Sequence, residues 1–332
     1  MICLGIEGTA HTVGVGIVDE QGKILSNIIK MYRPATGGIH PREAANHHAA
    51  NIAPVIKKAL IQSGKKIKDI DLVGFSIGPG LGPCLRTVAT AARALALSLN
   101  VPLLGVNHCI AHLEIGKVIT KASDVVLVYV SGGNTQIIAF SNGKYRVFGE
   151  TLDIGIGNCL DKFGRILGLS FPSGPLIEKM AQKGEEYIHL PYSVKGMDVA
   201  FSGILTATKN LIGKQKPEDL CYSLQETCFA MLTEVTERAM AHTEKKEVLL
   251  GGGVACNKRL QEMITLMARA RGAHFFCPPP SLLVDNGAMI AWTAVLMQRG
   301  GCHMDIQDTG VRQNFRVDDV EVIWKDVITT RS

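Results

Sequence analysis

The chain of 332 residues is 46% hydrophobic and 5% aromatic, which allows two ordinary domains with largely aliphatic cores. Its formal net charge of +5 permits contact with a polyanion but does not by itself indicate one. No apolar run approaches the roughly 20 residues that cross a bilayer, and the N-terminus has neither the basic region nor the cleavage site of a secretory signal, which argues against a membrane protein.

The chain contains an internal sequence repeat. Residues 3–25 read CLGIEGTAHTVGVGIVDEQGKIL and predict two apolar strands joined by a small-residue turn, followed by a second turn into a third strand. Residues 127–147, LVYVSGGNTQIIAFSNGKYRV, repeat that order. Between the copies, the patterns predict a helix, a strand, a buried Ala- and Leu-rich helix and another strand, at residues 46–64, 71–80, 86–100 and 101–106. The repeat predicts two related α/β lobes that face one another across a ligand-binding cleft.

The stretch VNHCIAHLE places His108 and His112 four residues apart, on one face of a predicted helix. The zinc peptidase motif H-E-x-x-H has a glutamate after its first histidine, whereas this chain has Cys109 there, and Glu114 follows the pair. Nine cysteines without a C-x-x-C pair argue against a disulfide framework and a thiolate zinc site, and suit a cytoplasmic protein. The residues alone leave two interpretations open: a metal site without a protease base, or a helix with two histidines.

Glycine-rich turns follow three predicted strands, at Gly8-Thr9, Gly132-Gly133 and residues 251–253. Glycine lets backbone N–H groups approach a phosphate closely, so the three turns favour nucleotide binding, although turns also need glycine for other reasons. The chain has no P-loop, and GPGLGPCL at residues 78–85 does not fit the dinucleotide-binding spacing.

Together these stretches resemble the tRNA threonylcarbamoyl-adenosine transferase family, whose archaeal and eukaryotic member is the catalytic subunit of the KEOPS complex and a relative of bacterial TsaD. The matching motifs run in order along the chain: GIEGTAHTVGVGIVD, GPGLGPCLR, GVNHCIAHLE, VYVSGGNTQ, IGNCLDKFGRILGL, FSGILTAT, LLGGGVACNKRL and VDNGAMIAW. The resemblance implies the actin-like (ASKHA) α/β fold, with two duplicated lobes that each hold a mixed five-stranded sheet flanked by helices. We expect lobes at residues 1–121 and 122–299, with residues from about 300 to 332 packing back on the first.

The resemblance also implies site residues. One iron or zinc ion would be bound by His108, His112, Tyr129 and Asp285, and would tie the two lobes together. An adenine nucleotide (threonylcarbamoyl-adenylate, ATP or AMP) would bind in the cleft to a further set: Tyr129, Val130, Ser131, Gly132, Gly133, Asp161, Gly174, Glu178 and Asn257. The lead-in FPSGPLIEKM departs from the family pattern but keeps Gly174 and Glu178.

The activity implied is transfer of the threonylcarbamoyl group from threonylcarbamoyl-adenylate to N6 of adenosine-37, beside the anticodon, in tRNAs that read ANN codons. Glu7 and His11 are candidates for the general base, as is the leaving phosphate, and the sequence does not choose among them. The basic residues that would contact tRNA are Arg86, Lys162, Arg165, Lys258 and Arg259. The implied partners are a small kinase-like ATPase, a small dimerising subunit and a further small accessory subunit.

Three other functions compete. An actin-like kinase would place an aspartate in the first hairpin turn, where this chain has Glu7. A metallopeptidase would need the missing glutamate base. A scaffold that binds a nucleotide without turnover fits the same motifs, and only a test of activity separates it from the enzyme.

Overall fold

The computed structural model describes residues 1–34 and 37–325. They divide into two units: the first is Met1–Ile119 with the described residues from Val284 onward, and the second is Thr120–Leu283. The fold is mixed α/β, as predicted, with one five-stranded sheet in each unit. Within the part of the chain that the structure describes, none of the helices has both the length and the hydropathy that crossing a membrane requires.

The first unit holds five strands in the order β3-β2-β1-β4-β5. Their bounds are β1 Ile2–Glu7, β2 Thr12–Asp19, β3 Ile24–Met31, β4 Leu72–Gly78 and β5 Leu103–Asn107. The helices are α1 Pro41–Ser63, α2 Gly82–Leu99, α3 His108–Thr120 and α10 Gly287–Arg299, and short 3-10 helices lie at Ile67–Asp69, Ile306–Asp308 and Val317–Asp319. The first three strands form an antiparallel meander, and β4 and β5 run parallel to β1.

The two faces of this sheet are built from different residues because side chains alternate along a strand. One face carries large aliphatic residues such as Leu4 and Ile6, which form a buried core with residues of α1 and α2 such as Val55 and Val88. The other face carries glycine at Gly5, between Leu4 and Ile6, and at equivalent places in β2 and β4.

The glycine face lets α10 lie with its backbone directly on the sheet. A β-carbon on Gly5 would stand 2.3 Å from the backbone nitrogen of Ala291, and one on Gly74 would stand 2.7 Å from the β-carbon of Ala294. No larger residue fits at these positions without moving the helix. The close approach fixes the start of α10, and with it the chain just before the helix, where Asp285 lies.

The second unit repeats the topology, with strand order β12-β11-β6-β7-β8. Its strands are β6 Val125–Val130, β7 Thr135–Ser141, β8 Lys144–Glu150, β9 Val194–Lys195, β10 Asp198–Val199, β11 Glu247–Gly251 and β12 His274–Phe276. Its helices are α4 Ile156–Ile166, α5 Gly174–Ala181, α6 Ser202–Lys209, α7 Pro217–Thr243, α8 Lys258–Ala270 and α9 Pro280–Leu283, with a 3-10 helix at Gly253–Cys256. Again a three-stranded antiparallel meander is followed by two parallel strands.

The matching strand orders confirm the duplicated fold that the internal sequence repeat predicted. The structure adds the small β9–β10 hairpin, which pairs only two residues on each side and has no counterpart in the sequence prediction. It also groups Gly287–Arg299 with the first unit, because that helix packs on the glycine face, whereas the predicted lobes placed it in the second. Grouping residues by their contacts does not test where the two duplicated segments begin and end, so the predicted lobe boundaries stay a prediction.

Candidate functional site

The histidine pair lies at the start of α3, where Asn107 ends β5 and caps the helix. The Asn107 side-chain oxygen accepts hydrogen bonds from the backbone N–H groups of Cys109 and Ile110, at 3.0 and 3.2 Å. Such a cap satisfies N–H groups that the first turn of a helix leaves without partners. Asn107 was not among the predicted site residues, although asparagine directly before a helical stretch is itself a signal of a helix start.

Three side chains of the first unit converge on one point. The Nε2 atoms of His108 and His112 each lie 3.4 Å from Oδ1 of Asp285. All three side chains are at least largely buried, and their potential ligand atoms lie within 4.8 Å of one another. Two ligand atoms bound at tetrahedral angles to one ion, each at about 2.1 Å, are separated by about 3.4 Å. The spacing therefore fits an ion held between the imidazoles and the carboxylate.

The carboxylate of this cluster is held in place by the start of α10. Asn286, the residue after Asp285, caps that helix by accepting a hydrogen bond from the Met289 N–H at 3.0 Å. Asp285 therefore lies one residue before the cap of the helix. The capping itself is done by Asn286, which leaves the Asp285 carboxylate to face the histidines.

The electrostatics of the cluster favour a cation. Burial by itself lowers the pKa of His108, but Glu7 and Asp285 outweigh it and raise that pKa to about 10. Burial tends to raise the pKa of Asp285, and the two histidines overcome it, so this pKa lies well below its usual value. Burial lowers the pKa of His112. If an ion displaces the Nε2 proton of His108, two imidazole nitrogens and one carboxylate form a donor set that suits zinc or iron.

Tyr129, the fourth predicted ligand, is a buried residue of the second unit, near the end of β6. It pairs with Gly251 of β11 on one side and Gln136 of β7 on the other. Its role as a metal ligand stays a prediction.

The turn after β6 exposes two glycines, Gly132 and Gly133. Its shape is fixed by Ser131, whose N–H donates to the Asn134 carbonyl and whose hydroxyl accepts from the Asn134 N–H. The turn also packs on the start of α4, because the Asn158 N–H donates to the Gly132 carbonyl at 2.9 Å. Among the described residues, no group accepts a hydrogen bond from the N–H of Gly132 or Gly133. Exposed amides in a rigid turn are suited to bind an anion.

Space is open at two glycines of the predicted binding set, Gly133 and Gly174, and at Gly253 of the third glycine-rich turn. A β-carbon on Gly133, Gly174 or Gly253 would meet no atom within 4 Å, and none of the three has a positive φ. By contrast, Gly252 has a φ of +90° and a β-carbon there would stand 2.3 Å from the Val130 carbonyl oxygen. Neither packing nor backbone conformation therefore requires glycine at these three positions, and the open space leaves room for a ligand.

Three polar residues predicted to bind the adenine nucleotide, Asp161, Glu178 and Asn257, help to hold the second unit together. Asp161 accepts a hydrogen bond from the Ser173 N–H at 2.7 Å, directly before Gly174. Glu178 accepts from the Lys258 N–H at 2.7 Å, directly after Asn257. The Asn257 side chain caps α8 and donates to Gln225 at 2.8 Å. The first contact joins α4 to the start of α5, and the second joins α5 to the start of α8. The predicted positions therefore lie on connected segments. Their roles as ligands stay predictions.

The predicted tRNA-binding residues differ in availability. Arg86, Lys162, Arg165 and Lys258 are exposed. The Arg259 guanidinium is instead held by Glu226 through two hydrogen bonds of 2.7 and 2.8 Å and by Glu262 at 2.7 Å. This network leaves Arg259 less able to bind a phosphate than the other four.

The two candidate bases lie in different surroundings. Glu7 is fully buried, and its Oε2 lies 3.0 Å from Nδ1 of His108. His11 lies in the same β1–β2 turn and is half-buried, and its carbonyl accepts a hydrogen bond from the Tyr32 N–H. Thr9, which the sequence pattern indicated only as part of a glycine-rich turn, binds Glu7 through both its N–H and its hydroxyl.

Comparisons with known proteins identify the family to which the chain belongs. Residues 23–292 match the family model TsaD, tRNA N6-adenosine threonylcarbamoyltransferase. The chain is 60% identical to the protein of that name from Thermococcus kodakarensis, over 98% of this chain and all of the relative, and 59% identical to that of Thermococcus sibiricus over the same shares. Among solved structures, HypF of Thermococcus kodakarensis superposes with a TM-score of 0.66 over 90% of this chain and 48% of HypF, at 15% identity, which shows the fold alone.

Proposed function

Because the chain belongs to the TsaD family of tRNA N6-adenosine threonylcarbamoyltransferases, we propose that it transfers a threonylcarbamoyl group from threonylcarbamoyl-adenylate to N6 of adenosine-37 in tRNAs that read ANN codons. The observation that carries the proposal is the convergence of His108, His112 and Asp285 at ligand spacing. Neither a sugar kinase nor a nucleotide-binding scaffold has an evident use for such a cluster.

His108, His112 and Asp285 would hold one iron or zinc ion, with both imidazoles bound through Nε2. A bound ion of this kind supplies a Lewis acid for a carbonyl or phosphoryl oxygen. The mixed anhydride of the donor is already activated, so the protein has mainly to position the reactants and stabilise charge.

The second unit would bind the adenine nucleotide, either the donor itself or ATP or AMP. The Gly132 and Gly133 amides are exposed and would donate to its phosphate. Asp161 and Glu178 would accept hydrogen bonds from ribose hydroxyls, since ionised carboxylates are acceptors only. Asp161 accepts the Ser173 N–H and Glu178 accepts the Lys258 N–H, so each carboxylate is held in a fixed place in the second unit.

We further propose that the chain works in the cytoplasm with the other KEOPS subunits: the kinase-like ATPase, the dimerising subunit and the small accessory subunit. None of the nine cysteines forms a disulfide, which is consistent with a reducing compartment. The mild net charge suggests that partners supply part of the surface that attracts tRNA.

The decisive experiment is single-turnover transfer from radiolabelled threonylcarbamoyl-adenylate to unmodified tRNA, with and without the partner subunits. Wild type is compared with the double variant His108→Ala, His112→Ala. The matched control is His274→Ala, His303→Ala, which removes two exposed histidines that do not belong to the cluster. We expect wild type and the control to modify tRNA and the first variant to be inactive. Unmodified tRNA with wild type, partners and donor all present would reject the transferase proposal, and ATP hydrolysis in its place would indicate the actin-like kinase.

A further inference from the structure

Glu7 is a fully buried carboxylate whose two oxygens both contact the protein. Oε2 lies 3.0 Å from Nδ1 of His108, and Oε1 accepts hydrogen bonds from the Thr9 N–H at 2.8 Å and the Thr9 hydroxyl at 2.7 Å. A carboxylate held in this way is rigid. It is also aimed at a predicted metal ligand rather than at open space.

The two ring nitrogens of His108 have different neighbours. Nε2 faces the Asp285 carboxylate and His112, whereas Nδ1 faces Glu7. The Thr9 hydroxyl lies 3.4 Å from the same Nδ1, but its one hydrogen is used in the shorter bond to Glu7. Toward His108 the hydroxyl therefore offers only a lone pair. Both groups that face Nδ1 are then acceptors, and Nδ1 must carry a hydrogen.

We propose that Glu7 is a positioning residue that holds His108 in the Nδ1–H tautomer, with the Nε2 lone pair directed at the metal. Thr9 in turn fixes Glu7. The inference rests on the metal centre proposed above, and it gives Glu7 a role other than the general base that the sequence offered. Hydrogen bonds from metal-bound histidines to carboxylates orient the ring and raise its basicity, and their loss typically weakens metal binding by about 10- to 100-fold.

The isosteric change Glu7→Gln opposes this arrangement for a specific reason. Glutamine has one acceptor oxygen, whereas Glu7 accepts at both positions. If the amide oxygen faces the Thr9 N–H, the NH₂ group faces Nδ1 of His108 and favours a lone pair there. The ring hydrogen then moves to Nε2, the nitrogen that would bind the metal.

The test measures metal affinity, not turnover. Metal-free full-length protein is titrated with Co²⁺, whose absorption spectrum reports the ligand set, and Zn²⁺ affinity is measured by competition with a chromophoric chelator. We expect Glu7→Gln to bind both ions about 10- to 100-fold more weakly, with a changed Co²⁺ spectrum. The matched control is Glu114→Gln, which alters another buried carboxylate of the first unit, one that bonds Trp324 and Lys117. Its metal affinity should equal that of wild type.

A second pair of variants tests the same idea without altering Glu7. Thr9→Ala removes the hydroxyl that holds the carboxylate and should weaken metal binding several-fold, while Thr9→Ser keeps the hydroxyl and should restore it. Far-ultraviolet circular dichroism checks folding of every variant. If Glu7→Gln does not fold, equal affinities of Thr9→Ala and Thr9→Ser would still overturn the proposal.

Failure of the metal centre and failure of the Glu7 inference give different results. If wild type binds no Co²⁺, or binds it as well as His108→Ala does, the metal centre is wrong. If wild type binds and His108→Ala does not, but Glu7→Gln matches wild type in affinity and spectrum, the centre stands and the role of Glu7 is wrong.

Discussion

The backbone nitrogen of Ala288 stands 2.2 Å from the position that a β-carbon on Gly16 would occupy. Gly16 is in the middle of β2 and Ala288 is in the first turn of α10, so strand and helix touch backbone to backbone. The same helix begins two residues after Asp285, whose carboxylate meets His108 and His112. The glycine face of the first sheet therefore helps to bring Asp285 to the two histidines, and it also packs this unit closely.

Substitution of Gly16 by alanine should destabilise the first unit. The added methyl group cannot fit without displacing α10, and overpacking of this kind typically costs about 1–3 kcal/mol, or more where backbone must move. Urea unfolding followed by tryptophan fluorescence is the measurement, because Trp292 and Trp324 are the chain's two tryptophans and both lie in the first unit. Gly310→Ala is the control, since a β-carbon there meets no atom within 4 Å. A Gly16→Ala protein as stable as this control would contradict the packing.

Metal binding at neutral pH should release close to one proton per ion. Without metal, the pKa of His108, raised to about 10 by Glu7 and Asp285 against the effect of burial, keeps the ring protonated. Burial lowers the pKa of His112, which is then neutral, and the lowered pKa of Asp285 keeps it ionised, so neither contributes a proton. Affinity should rise about tenfold per pH unit above neutrality and level off as pH passes the pKa of His108.

Calorimetric titration with Co²⁺ in two buffers of different ionisation enthalpy gives the number of protons released. In the metal-free protein, the raised pKa of His108 also stabilises the fold below the ordinary histidine pKa, and this contribution is lost as pH rises through about 10. If no proton is released near pH 7, His108 is already neutral in the metal-free protein, and Glu7 and Asp285 do not keep its ring protonated.

The sequence predicted those features that depend on local pattern. The two hairpin-and-strand copies, the helices between them and the His108–His112 pair all follow from apolar periodicity and short spacing, and the structure contains them. The resemblance supplied Asp285, which is far from the histidines in sequence. Packing on the glycine face brings it to them.

The remaining features depend on contacts that no local pattern encodes. Glu7 and His108 are 101 residues apart, so the sequence could offer Glu7 only as a generic acid or base in a turn. Arg259 looked free to bind tRNA because its partner Glu226 lies 33 residues away on another helix. The β9–β10 hairpin pairs too few residues for alternation to be visible.

The open glycines of the second unit should matter for ligand binding but not for stability. Gly133→Ala and Gly253→Ala should change the free energy of unfolding by no more than about 0.5 kcal/mol, because the new methyl groups touch nothing. If a nucleotide fills that space, each should weaken AMP binding at least about tenfold, which calorimetry or a fluorescent AMP analogue would measure. Gly203→Ala is the matched control, an equally open glycine of the same unit outside the predicted binding set. Equal weakening by all three, or by none, would contradict the nucleotide assignment.

The hydrogen bond between the buried side chains of Trp324 and Glu114 should stabilise the first unit. Trp324 and Glu114 are both buried, and the indole Nε1 donates to Oε1 of Glu114 at 2.9 Å, with Lys117 on the other oxygen at 3.4 Å. Trp324→Phe leaves one oxygen of a buried carboxylate without this donor, which should lower the free energy of unfolding by about 1.5–3 kcal/mol.

Adding Glu114→Gln should then reduce stability less in the Trp324→Phe background than in wild type, because a neutral amide needs the donor less. Urea unfolding of the four proteins of this cycle, followed by far-ultraviolet circular dichroism, gives the coupling energy. Strictly additive losses would mean that the two side chains merely lie side by side and that the bond contributes nothing to stability.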